Sequence, residues 1–484
     1  MTLDPHVFVL FGGTGDLSKR LVLPALLDLS KANPDLEFVV LATARAELTD
    51  AQYRDEVVRG MVEVGGVKKG EAQRFARKRL FFQTLDNDPT PDDYDAIRDK
   101  ADALAKKHGL GKNRVYYLAL PPGAFEMTAG WLGHTGMNTP PEGGGWVRIV
   151  VEKPFGHDLA SARHLNEVLH RYFDENQIYR IDHYLAKETV QNLLVLRMAN
   201  PIFERLWNRD TIERIDIRVA ETVDVGARGN YYDRAGVVRD MIQNHLTQLY
   251  TLMAMELPAG ADADAIRAEK VKVLRATQPI EGRKVVFGQY TAGAVDGEEV
   301  GAYRDAPRVR AGSDTPTFAA IALNVGNWRW EGVPFVLSTG KALKARVSEI
   351  VVTFRSAPVA FFRDVQGCVV PPNQLRIELQ PDEAFSLSFG VKRPGDGMVV
   401  EPERFTFDYN DAFGEPAPAY RTLVEDIIRG DQTLFVHADE VEASWRLYDP
   451  VLRRDRKVYP YPAGSWGPEQ AARITDLTSV PDEE

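Results

Sequence analysis

The chain has 484 residues, of which 44% are hydrophobic and 27% charged, and its formal net charge is -11. This composition is typical of a globular protein with a large core, and the negative charge argues against non-specific binding of nucleic acid. Because Cys368 is the only cysteine and the nine histidines lack metal-binding spacing, we expect neither a disulfide framework nor a metal site.

No apolar run in the sequence approaches the ~20 residues of a membrane-spanning helix. The first short apolar run is not preceded by a basic region, so we expect no signal peptide. These features indicate a cytoplasmic protein that contacts neither membranes nor nucleic acid.

The amino-terminal segment combines an apolar strand, a glycine turn and an apolar helix. Residues His6–Phe11 have the pattern of a strand buried on both faces of a parallel sheet, and residues 21–29 continue as a helix. Between them, the glycines at 12 and 15 suit a dinucleotide pyrophosphate, because glycine lets the backbone approach and the helix offers free N–H groups. Since Ser18 stands where G-x-G-x-x-G has its third glycine, an ordinary tight turn is the alternative.

The second predicted strand, residues 38–41, is followed by Arg45 and has no acid at its end. Enzymes that use NAD carry an acid there for the ribose 2′-hydroxyl, whereas an arginine accommodates a 2′-phosphate. The sequence therefore favours NADP over NAD. The alternative is that Arg45 caps a helix or faces solvent.

Three further strands are predicted at 115–120, 146–151 and 177–181. Lys153 follows the second of them, and the carboxyl ends of parallel strands face the crevice where ligands bind. The third strand leads into a run that contains an acid, an imidazole, a phenol and an ammonium group, namely Asp182, His183, Tyr184 and Lys187. Polar groups at such a junction indicate a site, although a solvated surface loop is the alternative.

The second half of the chain is rich in strands. The first, at 212–220, ends at Glu221, and a helix is predicted over 236–256 with Asp240 near its start. His245 lies on the apolar face of that helix, where a lone histidine is most often a core residue. Further strands are predicted at 285–290, 317–325, 347–354, 375–379 and 385–389, and without regular intervening helices they indicate an antiparallel or mixed sheet.

Two carboxyl-terminal features complete the pattern. Residues 340–346 contain three cations, Lys341, Lys344 and Arg346, which form either a cationic site or a solvated turn. A last helix is predicted over 420–429, and the segment rich in proline and glycine from Pro460 onward is expected to be loosely ordered.

Taken together, motifs spread along nearly the whole chain resemble those of the glucose-6-phosphate dehydrogenase family. They are GGTGDL (12–17), LALPP (118–122), EKPFG (152–156), RIDHYL (180–185) followed by Lys187 and Glu188, RDMIQNH (239–245), GVPF (332–335), GKAL (340–343) and RGDQTLF (429–435). Each could arise by chance, but their occurrence in this order is specific.

The resemblance implies an α/β plus α+β architecture. Residues 1–180 would form a Rossmann-like NADP-binding domain, and residues 181–484 a domain with a mixed, mostly antiparallel sheet and helices. The implied reaction oxidises the C1 hydroxyl of D-glucose 6-phosphate to the lactone, with hydride transfer to NADP. A homodimer or homotetramer built on the exposed sheet is also implied.

The resemblance also implies site residues, which are the positions of this sequence that match functional residues in the family's motifs. His245 corresponds to the general base and Asp182 to the acid that pairs with it. The expected phosphate ligands are His183, Tyr184 and Lys187, and the expected sugar and substrate-side contacts are Glu221, Asp240, Lys341 and Arg346. Lys153 corresponds to a residue that touches both cofactor and substrate, before a cis Pro154. The expected cofactor segment comprises Gly12, Thr14, Gly15, Asp16, Leu17 and Arg45.

The chain departs from the family pattern at Ala186, where a glycine is usual. If that position needs a left-handed backbone, alanine would be strained by about 1 kcal/mol and would shift Lys187. Two other readings are another NAD(P)-dependent sugar oxidoreductase and a non-catalytic NADP sensor. The first does not explain the basic cluster around His183, and the second should lack Asp182 or His245, which are both present.

Overall fold

The computed structural model describes residues 3–140, 143–356, 371–395, 399–414, 417–453 and 457–475, so Cys368 and the acidic end of the chain lie outside the described residues. The chain forms two compact units. Unit 1 comprises Met1–Ala186, Gly260–Arg267 and Ala417–Glu442, and unit 2 comprises Lys187–Ala259, Ala268–Pro416 and Ala443–Glu484. The division of the chain between residues 180 and 181 stays a prediction about its functional organisation.

Unit 1 is built on a parallel sheet of six strands: β1 His6–Phe11, β2 Phe38–Ala44, β3 Leu80–Thr84, β4 Arg114–Leu118, β5 Val147–Val151 and β6 Ile178–Arg180. Their spatial order is β3-β2-β1-β4-β5-β6, and every neighbouring pair is parallel. Strands β1, β2 and β4 are buried along their whole length, which explains their nearly continuous apolar sequences. The order is that of dinucleotide-binding α/β domains.

Helices connect and cover the strands. In chain order the described α-helices are α1 Leu23–Ala32, α2 Asp50–Glu63, α3 Lys69–Arg79, α4 Pro91–His108, α5 Phe125–His134, α6 Leu159–Tyr172, α7 Glu188–Met198, α8 Pro201–Leu206, α9 Gly229–Val237, α10 Thr247–Ala254, α11 Ala263–Ala276, α12 Tyr409–Phe413, α13 Ala419–Arg429 and α14 Ala438–Arg453. None of them is long and apolar enough to span a membrane, as far as the described residues extend.

Within unit 1, α13 is held at its apolar face and at its carboxyl end. Leu423, Val424, Ile427 and Ile428 are buried, and the helix packs against α1. The Arg148 guanidinium donates from Nη1 to the carbonyl oxygens of Ile427 and Ile428, both at 2.6 Å. A cation at these last carbonyls complements the negative end of the helix dipole. The helix is thereby fixed beside β5, on which Arg148 lies.

Unit 2 contains a sheet of nine strands: β7 Ile212–Ala220, β8 Val285–Thr291, β11 Phe318–Asn324, β12 Pro334–Gly340, β13 Val347–Phe354, β14 Gln374–Gln380, β15 Ala384–Lys392, β16 Val400–Asp408 and β17 Val458–Pro462. A separate hairpin joins β9 Gly293–Val295 to β10 Glu298–Val300. The large sheet has the order β16-β15-β14-β13-β7-β12-β11-β8-β17. The pairs β7–β12 and β8–β17 are parallel and the others antiparallel. The predicted mixed, mostly antiparallel sheet is confirmed.

The prediction of a loosely ordered segment after Pro460 is wrong for the part that the structure describes. β17 pairs in parallel with β8, and the register joins Tyr461 to Tyr290. Tyr461 is buried and donates its hydroxyl to the Lys341 carbonyl oxygen at 2.8 Å. Prolines are compatible with this strand because β17 lies at the edge of the sheet, where an absent N–H breaks no ladder.

The helix predicted over residues 236–256 occurs from Val238 to Ala254, but its first part is wider than an α-helix. Helix α9 is interrupted at Gly236, whose φ of 65° and ψ of 170° are outside the helical region. A π-helical turn, Val238–Leu246, follows and leads into α10, which ends at Ala254. At its end the Thr247 N–H donates to the Ile242 carbonyl five residues back. Hydrophobic spacing did not predict this wider turn, because both kinds of helix keep one apolar face.

Candidate active site

The glycine turn after β1 is packed so closely that side chains do not fit. The N–H groups of Gly12 and Gly13 both donate to the Thr43 carbonyl at 2.9 Å. Gly12 has a φ of 80°, and a Cβ there would lie 2.2 Å from the Ala119 carbonyl oxygen. Ser18, which stands where a third glycine is usual, is buried and donates its hydroxyl to Gly12 O at 2.9 Å. A bare backbone turn before a helix fits the pyrophosphate of a dinucleotide.

The other predicted cofactor residues lie on or beside this turn. The Gly15 N–H donates to Gly12 O at 2.9 Å and closes the turn. Thr14 and Leu17 are half-buried, while Asp16 is exposed and pairs with Arg20 at 3.2 Å. Arg45 is also exposed, directly after β2. Since parallel strands end at one edge, Arg45 follows the strand beside the turn, which suits a contact to the ribose end of the dinucleotide.

A buried carboxyl group precedes Lys153 at the same edge of the sheet. Glu152 Oε1 accepts a hydrogen bond from the Tyr117 hydroxyl at 2.5 Å and another from the Tyr420 hydroxyl at 3.2 Å. Burial raises the pKa of Glu152, and the two hydroxyl groups oppose that effect. Lys153 itself is half-buried, and the peptide bond to Pro154 is cis as expected. The sequence carried no signal for Tyr117 or Tyr420.

The polar run after β6 forms a compact turn at the same edge. Asp182 is 2% exposed, and its Oδ1 accepts the Tyr184 N–H at 3.0 Å. The imidazole of His183 is half-buried and lies 5.1 Å from the Tyr184 ring, centre to centre. Arg180, the last residue of β6, is fully buried and donates to Glu175 Oε1 at 2.7 Å. An ion pair between a fully buried arginine and a half-buried glutamate therefore fixes the strand that presents Asp182 and His183.

The backbone at Ala186 is not strained in the way that the family comparison suggested. Among the described residues, positive φ outside glycine occurs at Asp296, Arg308 and Ala342 only. Ala186 is buried, and the following Lys187 is 9% exposed, immediately before α7. Alanine is therefore accommodated before Lys187 without a left-handed backbone.

In unit 2, the ends of two parallel strands bring Glu221 and Lys341 together. The register pairs Ala220 at the end of β7 with Gly340 at the end of β12, so the residues that follow are neighbours. Lys341 Nζ lies 2.8 Å from Glu221 Oε2, and Lys341 is 6% exposed. The solvated-turn alternative is therefore wrong for Lys341. Arg346, by contrast, is exposed.

The π-helical turn carries two of the predicted site residues, Asp240 and His245. Both are buried, with exposures of 5% and 1%. Asp240 Oδ1 accepts from the Tyr231 hydroxyl at 3.4 Å and lies 3.9 Å from the Arg228 guanidinium. Burial, assisted by the Asp240 charge, raises the pKa of Tyr231 to about 12, so the phenol remains a hydrogen-bond donor. The His245 N–H donates to the side-chain oxygen of Asn244 at 2.7 Å.

A glycine turn between a buried strand and a helix, in a parallel sheet of this order, defines a dinucleotide-binding domain. With titratable groups at the carboxyl edge of that sheet, the class is a dinucleotide-dependent oxidoreductase. Two family models match the chain: "Glucose-6-phosphate dehydrogenase, NAD binding domain" over residues 9–192 and "Glucose-6-phosphate dehydrogenase, C-terminal domain" over residues 194–479. The chain belongs to the glucose-6-phosphate dehydrogenase family.

Curated relatives match this chain over nearly its whole length. The chain is 42% identical to the glucose-6-phosphate 1-dehydrogenase of Aggregatibacter actinomycetemcomitans and 44% identical to that of Mycolicibacterium smegmatis, in each case over 98% of this chain and 96% of the relative. A solved glucose-6-phosphate dehydrogenase in complex with its substrate glucose-6-phosphate superposes with a TM-score of 0.89 at 32% identity, covering 100% of both chains. The enzyme from Mycobacterium avium gives 0.83 at 32% identity over 97% of both chains.

These matches confirm the family resemblance, the fold class and the assignment to the dehydrogenases. The dinucleotide-binding domain is also confirmed, because the matched family model is of that kind. The roles of individual site residues stay predictions.

Proposed function

We propose that this protein is a glucose-6-phosphate 1-dehydrogenase. It oxidises the C1 hydroxyl of D-glucose 6-phosphate to 6-phospho-D-glucono-1,5-lactone with hydride transfer to NADP, the first oxidative step of the pentose phosphate pathway. The observation that carries the proposal is the convergence of a glycine turn, Lys153 and the Asp182–His183 pair at one edge of a parallel sheet. The names of the full-length relatives support the same substrate.

The chemistry requires a base beside the C1 hydroxyl. The hydride leaves from C1 and the proton leaves from the hydroxyl oxygen, so removal of the proton makes hydride transfer easier. We assign the removal of this proton to His245, because imidazole titrates near neutral pH and accepts protons readily. Asp182 is its assigned carboxylate partner, which would fix the tautomer and stabilise the imidazolium.

The remaining roles divide by charge. His183, Tyr184 and Lys187 are assigned to the phosphate dianion, which is recognised best by charge-assisted donors. Carboxylates accept hydrogen bonds from sugar hydroxyl groups, so Glu221 and Asp240 are assigned to the sugar. Lys341 and Arg346 are the cationic substrate-side residues, and Lys153 is assigned to both substrate and cofactor.

The cofactor assigned to the glycine turn is NADP. Arg45 at the end of β2 supplies a cation for the 2′-phosphate, and no acid competes for a ribose hydroxyl at that strand end. The bound nicotinamide would supply the hydride acceptor, while the protein's part is to hold it and to exclude water.

A homodimer or homotetramer that assembles on the exposed part of the large sheet is the proposed state in the cytoplasm. Phe405 on β16 is 65% exposed and stacks on Phe389 of β15 at 4.8 Å, and Phe413 beyond the strand is 78% exposed. Exposed aromatic rings on a sheet favour association with another chain. Light scattering at micromolar concentration tests the proposal, and a monomer would contradict it.

Following reduced-nicotinamide absorbance with a panel of hexoses and hexose 6-phosphates tests the function. We expect turnover of glucose 6-phosphate with NADP and weak turnover of unphosphorylated glucose. Preference for an unphosphorylated sugar would favour another sugar oxidoreductase. Binding of NADP without turnover of any sugar would favour a non-catalytic sensor.

A further inference from the structure

The hydroxyl group of Tyr232 in unit 2 is buried without a hydrogen-bond partner among the residues that the structure describes. Tyr232 lies on α9 and is 1% exposed, yet its hydroxyl oxygen neither donates nor accepts a hydrogen bond there. Buried polar groups normally form hydrogen bonds, because a buried group without a partner loses its hydrogen bonds to water and gains none within the protein. The hydroxyl therefore needs an explanation.

Other tyrosines around Tyr232 have partners. The Tyr303 ring packs edge-on against the Tyr232 ring at 6.3 Å, and its hydroxyl donates to Asp233 at 3.1 Å. The Tyr461 hydroxyl donates to a carbonyl oxygen at 2.8 Å, and that of Tyr231 donates to Asp240 at 3.4 Å. The described residues thus provide hydrogen-bond partners for the neighbouring phenol hydroxyl groups but none for the Tyr232 hydroxyl group.

Tyr232 lies beside Lys341, whose ion-pair partner Glu221 is assigned to the sugar. Lys341 Nζ is 5.5 Å from the centre of the Tyr232 ring and 2.8 Å from Glu221. Burial raises the pKa of Tyr232 well above its usual value, and the charges of Asp240 and Glu221 raise it further. The phenol is therefore electrostatically coupled to both carboxylates, and it remains a neutral group that can donate and accept.

We propose that Tyr232 is a specificity-determining residue whose hydroxyl forms a hydrogen bond with a ring hydroxyl of the sugar phosphate. This inference rests on the proposed function and deepens it. A neutral phenol matches a sugar hydroxyl, which also donates and accepts, whereas the phosphate is assigned to cationic side chains. A site built to bond a substrate hydroxyl discriminates strongly against an analogue that lacks it, because the protein group is then left unpaired.

Tyr232→Phe removes only the hydroxyl and is the first test. We expect the melting temperature to stay unchanged or to rise, because the free protein loses an unpaired polar group. We expect KM for glucose 6-phosphate to rise about tenfold, the effect of one lost hydrogen bond, while kcat changes much less. Tyr303→Phe is the matched control: it breaks the bond to Asp233, so it should lower the melting temperature and leave KM unchanged.

Deoxy analogues identify the sugar hydroxyl concerned. The wild type and Tyr232→Phe are compared on the 2-, 3- and 4-deoxy forms of glucose 6-phosphate. For one analogue, the variant and the wild type should have nearly equal kcat/KM, because neither protein can form the bond once the sugar hydroxyl is missing. A variant that keeps KM within twofold on glucose 6-phosphate overturns the inference, as does an equal loss on all three analogues. Wild-type enzyme that does not turn over glucose 6-phosphate overturns the proposed function as well, which distinguishes the two failures.

Discussion

Asp240 and His245 lie five residues apart in a π-helical segment, where hydrogen bonds join residues five apart, so the two backbone positions lie near the same side of it. An α-helix turns by about 100° per residue, so the same spacing would place them about 140° apart. Both side chains are buried. The wider turn therefore aligns a carboxylate assigned to the sugar with the imidazole assigned to its C1 hydroxyl.

His245→Asn tests the proposed base. Asparagine keeps much of the volume and polarity of histidine but does not accept the proton, so kcat should fall by about 10²–10⁴. Glucose 6-phosphate and NADP should bind nearly as well as to the wild type, because the phosphate and cofactor ligands remain. The measurements are kcat, the two dissociation constants and the melting temperature, all on one sample.

The control for this variant is Thr251→Val on α10. Thr251 is fully buried and donates to Gln248 O at 2.9 Å, so its loss should lower the melting temperature and spare kcat. If His245 is only a core residue, His245→Asn will behave like this control. A folded His245→Asn enzyme with kcat within a few-fold of the wild type would refute the assignment.

Lys341→Met tests the cation paired with Glu221. Methionine fills the space of the aliphatic stem but carries no charge, so kcat/KM for glucose 6-phosphate should fall about ten- to a hundred-fold through the loss of charge-assisted hydrogen bonding. Lys344→Met on the same turn is the matched control, because Lys344 is exposed, and its kinetics should be those of the wild type. Equal effects of the two substitutions would assign the loss to the turn as a whole.

Much of the sheet architecture was predictable from the sequence, because buried strand positions are occupied by apolar residues in recognisable patterns. The strands His6–Phe11, Ile212–Ala220 and Val347–Phe354 occur as predicted, since apolar runs and alternation report which faces are buried. The glycine turn was predictable for a similar reason. Only glycine fits where Gly12 lies against Ala119, so a steric requirement is visible as a residue type.

Contacts between residues distant in the sequence were not predictable, because no local sequence pattern specifies them. Tyr117 and Tyr420 meet Glu152 through pairings that no local pattern encodes. β17 joins the large sheet although its sequence is rich in proline, because an edge strand tolerates missing donors. The sequence also did not show whether Lys341 is buried, because its partner Glu221 is distant in the sequence and follows another strand.

Arg45→Ala tests the choice of cofactor. Because only NADP carries the 2′-phosphate, KM for NADP should rise about ten- to a hundred-fold while KM for NAD stays nearly unchanged. Arg77→Ala, at an exposed position of α3 in the same unit, controls for the general loss of a positive charge. Equal losses for both cofactors would instead mean that Arg45 supports the fold or the pyrophosphate.

The last prediction concerns acid stability and the ion pair behind the Asp182–His183 turn. Burial alone would raise the pKa of Glu175, but the Arg180 charge and the hydrogen bonds from Arg180 and His170 lower it from 4.5 to about 2. A carboxyl whose folded pKa is depressed stabilises the protein above its unfolded pKa, and that contribution is lost as the pH falls through the folded value. The relevant window is therefore between about pH 4.5 and pH 2.

Glu175→Gln should lower the free energy of unfolding by about 3 kcal/mol at pH 7, since each pKa unit corresponds to about 1.4 kcal/mol. The difference from the wild type should shrink steadily below about pH 4.5, because the unfolded wild type then takes up a proton while the folded carboxylate stays charged down to about pH 2. Urea unfolding of both proteins at pH 7, 5, 4 and 3 measures this, with Glu167→Gln on the exposed side of α6 as the control that should change little at any pH. A difference that stays constant over this range would show that the Glu175 substitution acts through packing and not through the charge that holds Arg180.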